Sequence, residues 1–305
     1  MQPVDELSEH RYGKAFLDAL SEFLATRGGD RWLELHGSGP RSRMARFEAA
    51  TLPEIERHCG PVAGKRVLDF GCGTGTITPS LADRASQVYA FDISEPAIAL
   101  TRMRLADHAI ASVKVLCAQS YSDVAEPAGQ FDLVLMHAVF EHVPLSIPGL
   151  RAMVLGEAFD AVSPGGHLVI CESPNRLWPR DIYCTGLWGI PWTRGGSRWA
   201  YERAVHKGRH ADPEGRGPIS LEERGAWGFT YWALRRYLHD RPHEILNAQA
   251  GHDRWVRYGR RLSAHRRLFE TAAYYGLTRT AKVPVVALAP MLSPVVIAKP
   301  ARAPR

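Results

Sequence analysis

The 305 residues contain no C-x-x-C pair. The five cysteines, Cys59, Cys72, Cys117, Cys171 and Cys184, are odd in number and scattered. That spacing argues against a disulfide framework and against a cysteine-based zinc site, and it fits a reducing, cytoplasmic compartment. The opening MQPVDELSEHRYGKAF has charges where a signal peptide needs an apolar core. Long apolar runs are absent as well. The most apolar stretch, Val283 to Ala298, is 16 residues long and is broken by Pro284, Pro290 and Pro294, so no membrane span is expected and the chain reads as soluble. Lysine is scarce where charge is densest. Between Arg176 and Glu270 there are 17 Arg and one Lys against 10 Asp and Glu, a balance of +8 in a chain whose total is +6. Seven of the eight tryptophans share that segment. Such a patch suits a phosphate- or carboxylate-bearing partner, with a solvated helical surface over aromatic packing as the bland alternative. Hydrophobic residues at 45% and charged residues at 23% exclude global disorder.

Residues 1–60 read as a helical N-terminal segment. Phe16, Leu17, Leu20, Phe23 and Leu24 recur at helix spacing, and the turn His36-Gly37-Ser38-Gly39-Pro40 precedes a second helical run through Ile55. From residue 61 to 175 short apolar runs alternate with helices or loops. The runs are Val67–Phe70, Val88–Phe91, Val113–Cys117, Phe131–Met136 and His167–Cys171, with helical patterns at Ile77–Ala85 and Glu95–Asp107. This alternation predicts an α/β fold, a mostly parallel sheet with helices on both faces. Residues 176–270 lose the rhythm and read as an inserted lid over the strand C-terminal ends. In 271–305 the runs Val283–Leu288 and Pro294–Ala298 are expected to supply the last strands of a seven-stranded sheet.

The most specific stretch is Val67-Leu68-Asp69-Phe70-Gly71-Cys72-Gly73-Thr74-Gly75. A strand delivers Asp69 and turns through glycines into a helix, as a backbone must when it approaches a nucleotide without a Cβ in the way. Asp92 ends the next strand 21 residues after Gly71, where a carboxylate can accept both ribose hydroxyls. A dinucleotide fingerprint requires G-x-G-x-x-G; here Gly73 is followed by Gly75 and then Thr76. The chain resembles a class I S-adenosylmethionine-dependent methyltransferase in four motifs, in order. They are VLDFGCGTG, Tyr89-Ala90-Phe91-Asp92-Ile93-Ser94, Phe131 to His137 continuing into Ala138-Val139-Phe140-Glu141-His142-Val143, and Ser163-Pro164-Gly165-Gly166 leading into the fifth strand. They cover residues 65–175. The resemblance implies a Rossmann-like fold and S-adenosyl-L-methionine as cofactor. It places Gly71, Cys72, Gly73 and Gly75 along the donor, with Asp69 ordering the loop or facing the cofactor ammonium and Asp92 on the ribose. Ile93 would lie on the adenine or in the core, Gln119 or Ser120 near the adenine amino group, and the His137 carbonyl at the methionine amine.

Methyl transfer from a sulfonium is an in-line displacement, and a hydroxyl acceptor also has to lose a proton. His142 is the first candidate base and His137 the second, with Glu141 beside them; structural roles for all three are the alternative. Glu172-Ser173-Pro174-Asn175-Arg176-Leu177-Trp178-Pro179 and Thr185-Gly186-Leu187 resemble a bacterial subgroup associated with sugar, glycan and secondary-metabolite pathways. Members of that subgroup often carry a His where this chain has Tyr183-Cys184. Asn175, Arg176, Tyr183 and Trp188 are the acceptor-pocket candidates. The implied activity is O-methylation of a small molecule, a sugar, glycan precursor or secondary metabolite, and the arginine excess would suit an anionic or phosphate-linked one. RNA methylation and a non-catalytic cofactor-binding role are the alternatives, although the chain has no Asn/Asp-Pro-Pro-Tyr/Phe tetrad. The pairs His206/His210 and His239/His243 have i,i+4 spacing without an indicated third ligand, so no metal is expected.

Overall fold

The computed structural model describes residues 12–25, 30–124, 129–248, 268, 271–272, 275–288, 291–292 and 294–301. The N-terminal segment is helical as expected: α1 (Lys14–Leu24), α2 (Asp30–His36), α3 (Arg43–Arg46) and α4 (Leu52–Cys59), with a π-helical turn at Phe47–Thr51. α1 buries Phe16, Leu20 and Leu24 at i, i+4 and i+8 against Leu100. Beyond it the strands and helices alternate: β1 (Arg66–Phe70), α5 (Thr78–Ala82), β2 (Gln87–Asp92), α6 (Glu95–Asp107), β3 (Lys114–Cys117), β4 (Phe131–His137), α7 (Leu150–Ala161) and β5 (Val162–Cys171). β6 (Ser173–Pro174) is a short strand outside this sheet. α8 (Arg198–His206), α9 (Pro218–Glu223) and α10 (Tyr231–Tyr237) follow, then β7 (Glu244–Ile245), β8 (Met291–Leu292) and β9 (Val295–Ala298). Among the described residues no helix is long and apolar enough to cross a membrane.

The sheet order is β3-β2-β1-β4-β5-β9-β7; the first five strands are parallel, and β9 is antiparallel to both of its neighbours. Its central strands alternate strictly between two apolar layers. Leu68, Val134, Met136, Leu168, Ile170, Val295 and Ile297 face α7 and α10, whereas Val67, Leu133, Leu135, Val169, Cys171 and Val296 face α4 and α5. Strands buried on both faces carry near-continuous apolar runs for this reason.

Two expectations need correction. Val283–Leu288 is not a strand of this sheet: Val285–Leu288 is a 3-10 turn, preceded by Pro284, which has no N–H to give a ladder. The edge strand comes instead from β7, inside the stretch read as a lid. That stretch is also not all cover. Phe229, Tyr231, Leu234 and Leu238 belong to the main core, while Ile190, Ala200, Ala204, Leu221, Ala226 and Trp227 form a small core of their own.

Candidate active site

Open α/β sheets bind ligands beyond the C-terminal ends of their strands, where the strand order reverses. Here that point lies between β1 and β4, and the glycine loop after β1 closes on it. Asp69 is fully buried and accepts a hydrogen bond from Thr78 Oγ1 at 2.7 Å, tying the loop to the start of α5. Burial, reinforced by Asp92, raises its carboxyl to about 7. Gly71 has φ +77°, and a Cβ there would lie 2.5 Å from Val139 Cγ1. Only glycine lets the loop pack on the segment that carries Glu141 and His142. At Gly73, φ is +56° and a Cβ would meet nothing within 4 Å, so this turn fronts open space. Asp92 borders the same space. Its Oδ2 accepts the Gly73 N–H at 2.8 Å and its Oδ1 the Ser94 N–H at 2.9 Å. Desolvation raises the Asp92 carboxyl, and the nearby His142 opposes that rise. A carboxylate held in place by two backbone donors, with lone pairs to spare, next to a loop without a Cβ in front of it, fits an adenosyl ribose.

Ile93 is 58% exposed, so it is not a core residue and its face is available to a ligand. Gln119 is exposed after β3, whereas Ser120 is committed to the Glu157 carboxylate through its hydroxyl and caps the following 3-10 turn. Cys72 is buried, and desolvation pushes its thiol well up, which keeps it protonated and unreactive.

The candidate acceptor-side residues gather where β4 and β5 end. Ala138 and Glu172, the residues that follow these strands, have φ of 56° and 55°. Two neighbouring left-handed non-glycine residues represent a local cost of about 1–3 kcal/mol each, and such strain clusters at functional sites. His137 is almost completely buried, edge-on to Phe47, and desolvation lowers its ring to about 4, so it stays neutral. Glu141 is fully buried; its Oε2 accepts from Ser173 Oγ at 2.7 Å, and its Oε1 lies 3.8 Å from His142 Nε2. His142 Nδ1 lies 2.6 Å from the Glu223 carbonyl and Nε2 lies 3.1 Å from the Tyr183 hydroxyl. A carbonyl can only accept, so Nδ1 carries a proton, and in the neutral ring Nε2 is the basic nitrogen. Burial and Glu141, which also hydrogen-bonds it, raise the Tyr183 phenol well above its ordinary value, so it keeps its proton.

Of the acceptor candidates, Tyr183 alone meets His142. Asn175 is buried and serves the fold, donating to the Ala287 carbonyl at 2.7 Å and accepting from Leu177 N. Arg176 donates to the carbonyls of Pro191 and Thr193, and Trp188 is 62% exposed. The histidine pairs do not gather. His206 ends α8, His210 turns inward to Ser220, and His239 and His243 bond to the carbonyls of Arg236 and Arg241.

Three contributors escaped the sequence reading. Arg43, at the start of α3, reaches the strand ends and pairs with Glu172 at 3.4 Å; burial works against its charge, but Tyr183, Glu172 and Glu141 hold it above its ordinary value. His36 binds both Thr74 and Thr76 of the glycine loop through Nδ1, at 3.0 and 3.1 Å. Glu223 fixes the His142 tautomer through its backbone. His36 stood out only as part of a turn, and a backbone carbonyl leaves no mark in the sequence.

Fold and site together define a class I S-adenosylmethionine-dependent methyltransferase. A family model described as a methyltransferase domain matches residues 9–214, and the chain belongs to that family. The chain is 33% identical over 122 residues to the ubiquinone biosynthesis O-methyltransferase of Acinetobacter baylyi, covering 40% of this chain and 49% of the relative. It is 35% identical over 129 residues to the enzyme of the same name from Aromatoleum aromaticum, covering 42% and 52%. The chain thus spans about half the length of the curated relatives it matches. Among solved structures, magnesium protoporphyrin IX methyltransferase from Synechocystis aligns at 16% identity over 75% of this chain and 90% of its own, with a TM-score of 0.46.

Proposed function

We propose that this protein transfers the methyl group of S-adenosylmethionine to a hydroxyl oxygen of a small molecule, with His142 as general base. The observation that carries the reading is the Glu223 carbonyl 2.6 Å from His142 Nδ1, which leaves Nε2 as the basic nitrogen of the neutral ring, with the Tyr183 hydroxyl beside it at the place an acceptor hydroxyl would take. In this reading Asp92 takes the ribose hydroxyls, and Gly71, Cys72, Gly73 and Gly75 line the donor with Asp69 holding their loop. Ile93 covers the adenine, Gln119 takes its amino group in preference to Ser120, and the His137 carbonyl meets the methionine amine. The cofactor supplies an electrophilic methyl group. The chain aligns the acceptor, and His142 removes its proton as the oxygen forms its bond to carbon. Glu141 and Tyr183 orient the imidazole, and neutral His137 adds no competing charge. The name shared by the curated relatives, O-methyltransferase, supports a hydroxyl acceptor, and the arginines of residues 176–270 support one that carries an oxyanion.

The test supplies tritiated S-adenosylmethionine and a bacterial small-molecule extract to wild type, His142→Ala and Asp92→Ala. Label should enter the small-molecule fraction. His142→Ala should lower kcat about 10²–10⁴-fold with S-adenosylhomocysteine affinity unchanged, whereas Asp92→Ala should lose that affinity. Label entering RNA instead, or full activity in His142→Ala, would reject the proposal.

A further inference from the structure

Two contiguous cavities of about 320 and about 300 Å³ open beside the site and share Leu145 and Arg176 as a common wall. Four arginines line the joint groove: Arg151 and Arg236 in the first cavity, Arg194 in the second and Arg176 in both. No aspartate or glutamate lines either cavity among the described residues. One carboxylate, Glu222, is buried behind the wall, where its Oε2 accepts from Ser146 N and Oγ.

The four guanidinium groups divide into two kinds. Arg151 spends its donors on the carbonyls of Val143, Gly228 and Trp227, and Arg176 spends its own on those of Pro191 and Thr193. Both donate to neutral carbonyls; burial lowers both guanidinium groups, and Tyr237 and the buried Glu222 carboxylate oppose that, so the two charges at the floor of the groove face a carboxylate behind them. Arg194 and Arg236 are exposed, and neither guanidinium is paired within the described residues. Trp232, 43% exposed, adds an aromatic face to the first cavity.

The groove is tied to the proposed catalytic side through the backbone. Val143, which anchors Arg151, follows His142, and Glu223, which fixes His142, follows Glu222. Unpaired arginines above a floor of fixed positive charge, with an aromatic wall beside them, form a receptor for an oxyanion attached to an apolar or planar body.

We propose that this groove binds the oxyanion of the methyl acceptor, a phosphate or a carboxylate, through Arg194 and Arg236. The proposal rests on the methyl-transfer reading for the word acceptor, but anion binding itself is measurable without turnover. Phenyl phosphate and benzoate, which differ only in their oxyanion, are titrated calorimetrically into protein saturated with S-adenosylhomocysteine. At least one should bind with one-to-one stoichiometry, and the preferred probe tells phosphate from carboxylate. Arg194→Gln and Arg236→Gln should each weaken it about tenfold, the loss of one charge-assisted contact. Arg57→Gln, a distant exposed charge on α4, should leave it within about twofold, the scale of a surface effect.

Binding of neither probe, or retention of affinity in the Arg194→Gln/Arg236→Gln double variant, overturns the proposal. So does binding of a single-stranded oligoribonucleotide where both small anions fail. A separate titration of S-adenosylhomocysteine keeps the two readings apart. Failure there with intact anion binding rejects methyl transfer and leaves the groove, whereas cofactor binding without anion binding rejects the groove alone.

Discussion

At the C-terminal ends of adjacent strands, Asp69 on β1 and His137 on β4 are buried groups whose titrations run in opposite directions. The Asp69 carboxyl is raised to about 7 by burial, so from about pH 4 to 7 the folded protein holds a proton that the unfolded chain has released. Stability from this group is full below its unfolded value and falls as pH rises through that window. His137 is lowered to about 4 by burial, so between about pH 4 and 6.5 the unfolded chain binds the extra proton, and stability falls as pH drops. The contributions at full span are about 4 kcal/mol for Asp69 and about 3 kcal/mol for His137, and over the shared range they largely offset each other. Denaturant unfolding across this range should therefore show a steeper rise of stability with pH in Asp69→Asn than in wild type. His137→Gln should show the reverse tilt, and parallel profiles in all three proteins would contradict the assignment. The identities of these residues were legible in the motif, and so was the position of Asp92 at the end of β2. The partners that set their protonation were not, because Phe47, Arg43 and Glu172 come together only when α3, β4 and β5 pack.

Among the elements, the N-terminal helices act as a strap on the cofactor loop, and one side chain in α6 fastens them. Arg104 is fully buried. It donates to the Tyr12 hydroxyl, to the His36 carbonyl at 2.6 Å and to the Thr74 carbonyl at 2.8 Å. Its guanidinium thus joins the start of α1, the end of α2 and the glycine loop. Arg104→Leu would strand two buried carbonyls, at about 1–3 kcal/mol each. The variant should lose about 3 kcal/mol of stability and, because Thr74 sits in the loop, should bind S-adenosylhomocysteine more weakly. Hydrogen exchange should show lost protection in α1; unchanged exchange and affinity would remove the strap from the account. In the sequence, Arg104 looks like any charged residue on the solvent face of a helix, and the turn at His36 marks a break without showing where it docks. The central strands were legible because burial on both faces demands continuous apolar runs. The edge was not. Two residues, Glu244–Ile245, suffice for β7, and so short a strand carries no period.

Across the whole molecule, charge and chemistry are separated. The proposed nucleotide cradle is assembled from residues 69–92 with backbone-held groups, whereas the basic excess lies in residues 176–270, which supply Arg176, Arg194 and Arg236 to the exposed groove. Screening acts differently on the two. At physiological ionic strength the Debye length is about 8 Å, so exposed guanidinium groups lose reach as salt rises while buried hydrogen-bonded contacts change little. The Michaelis constant for an anionic acceptor should therefore climb several-fold between about 50 and 500 mM sodium chloride, while that for S-adenosylmethionine stays nearly constant and kcat is preserved. Arg194→Gln should flatten the acceptor's salt dependence, because one of the screened charges is already gone. A parallel rise in both constants would mean that salt acts on the fold as a whole. The basic segment would then be a solvated surface, as its composition alone also allowed.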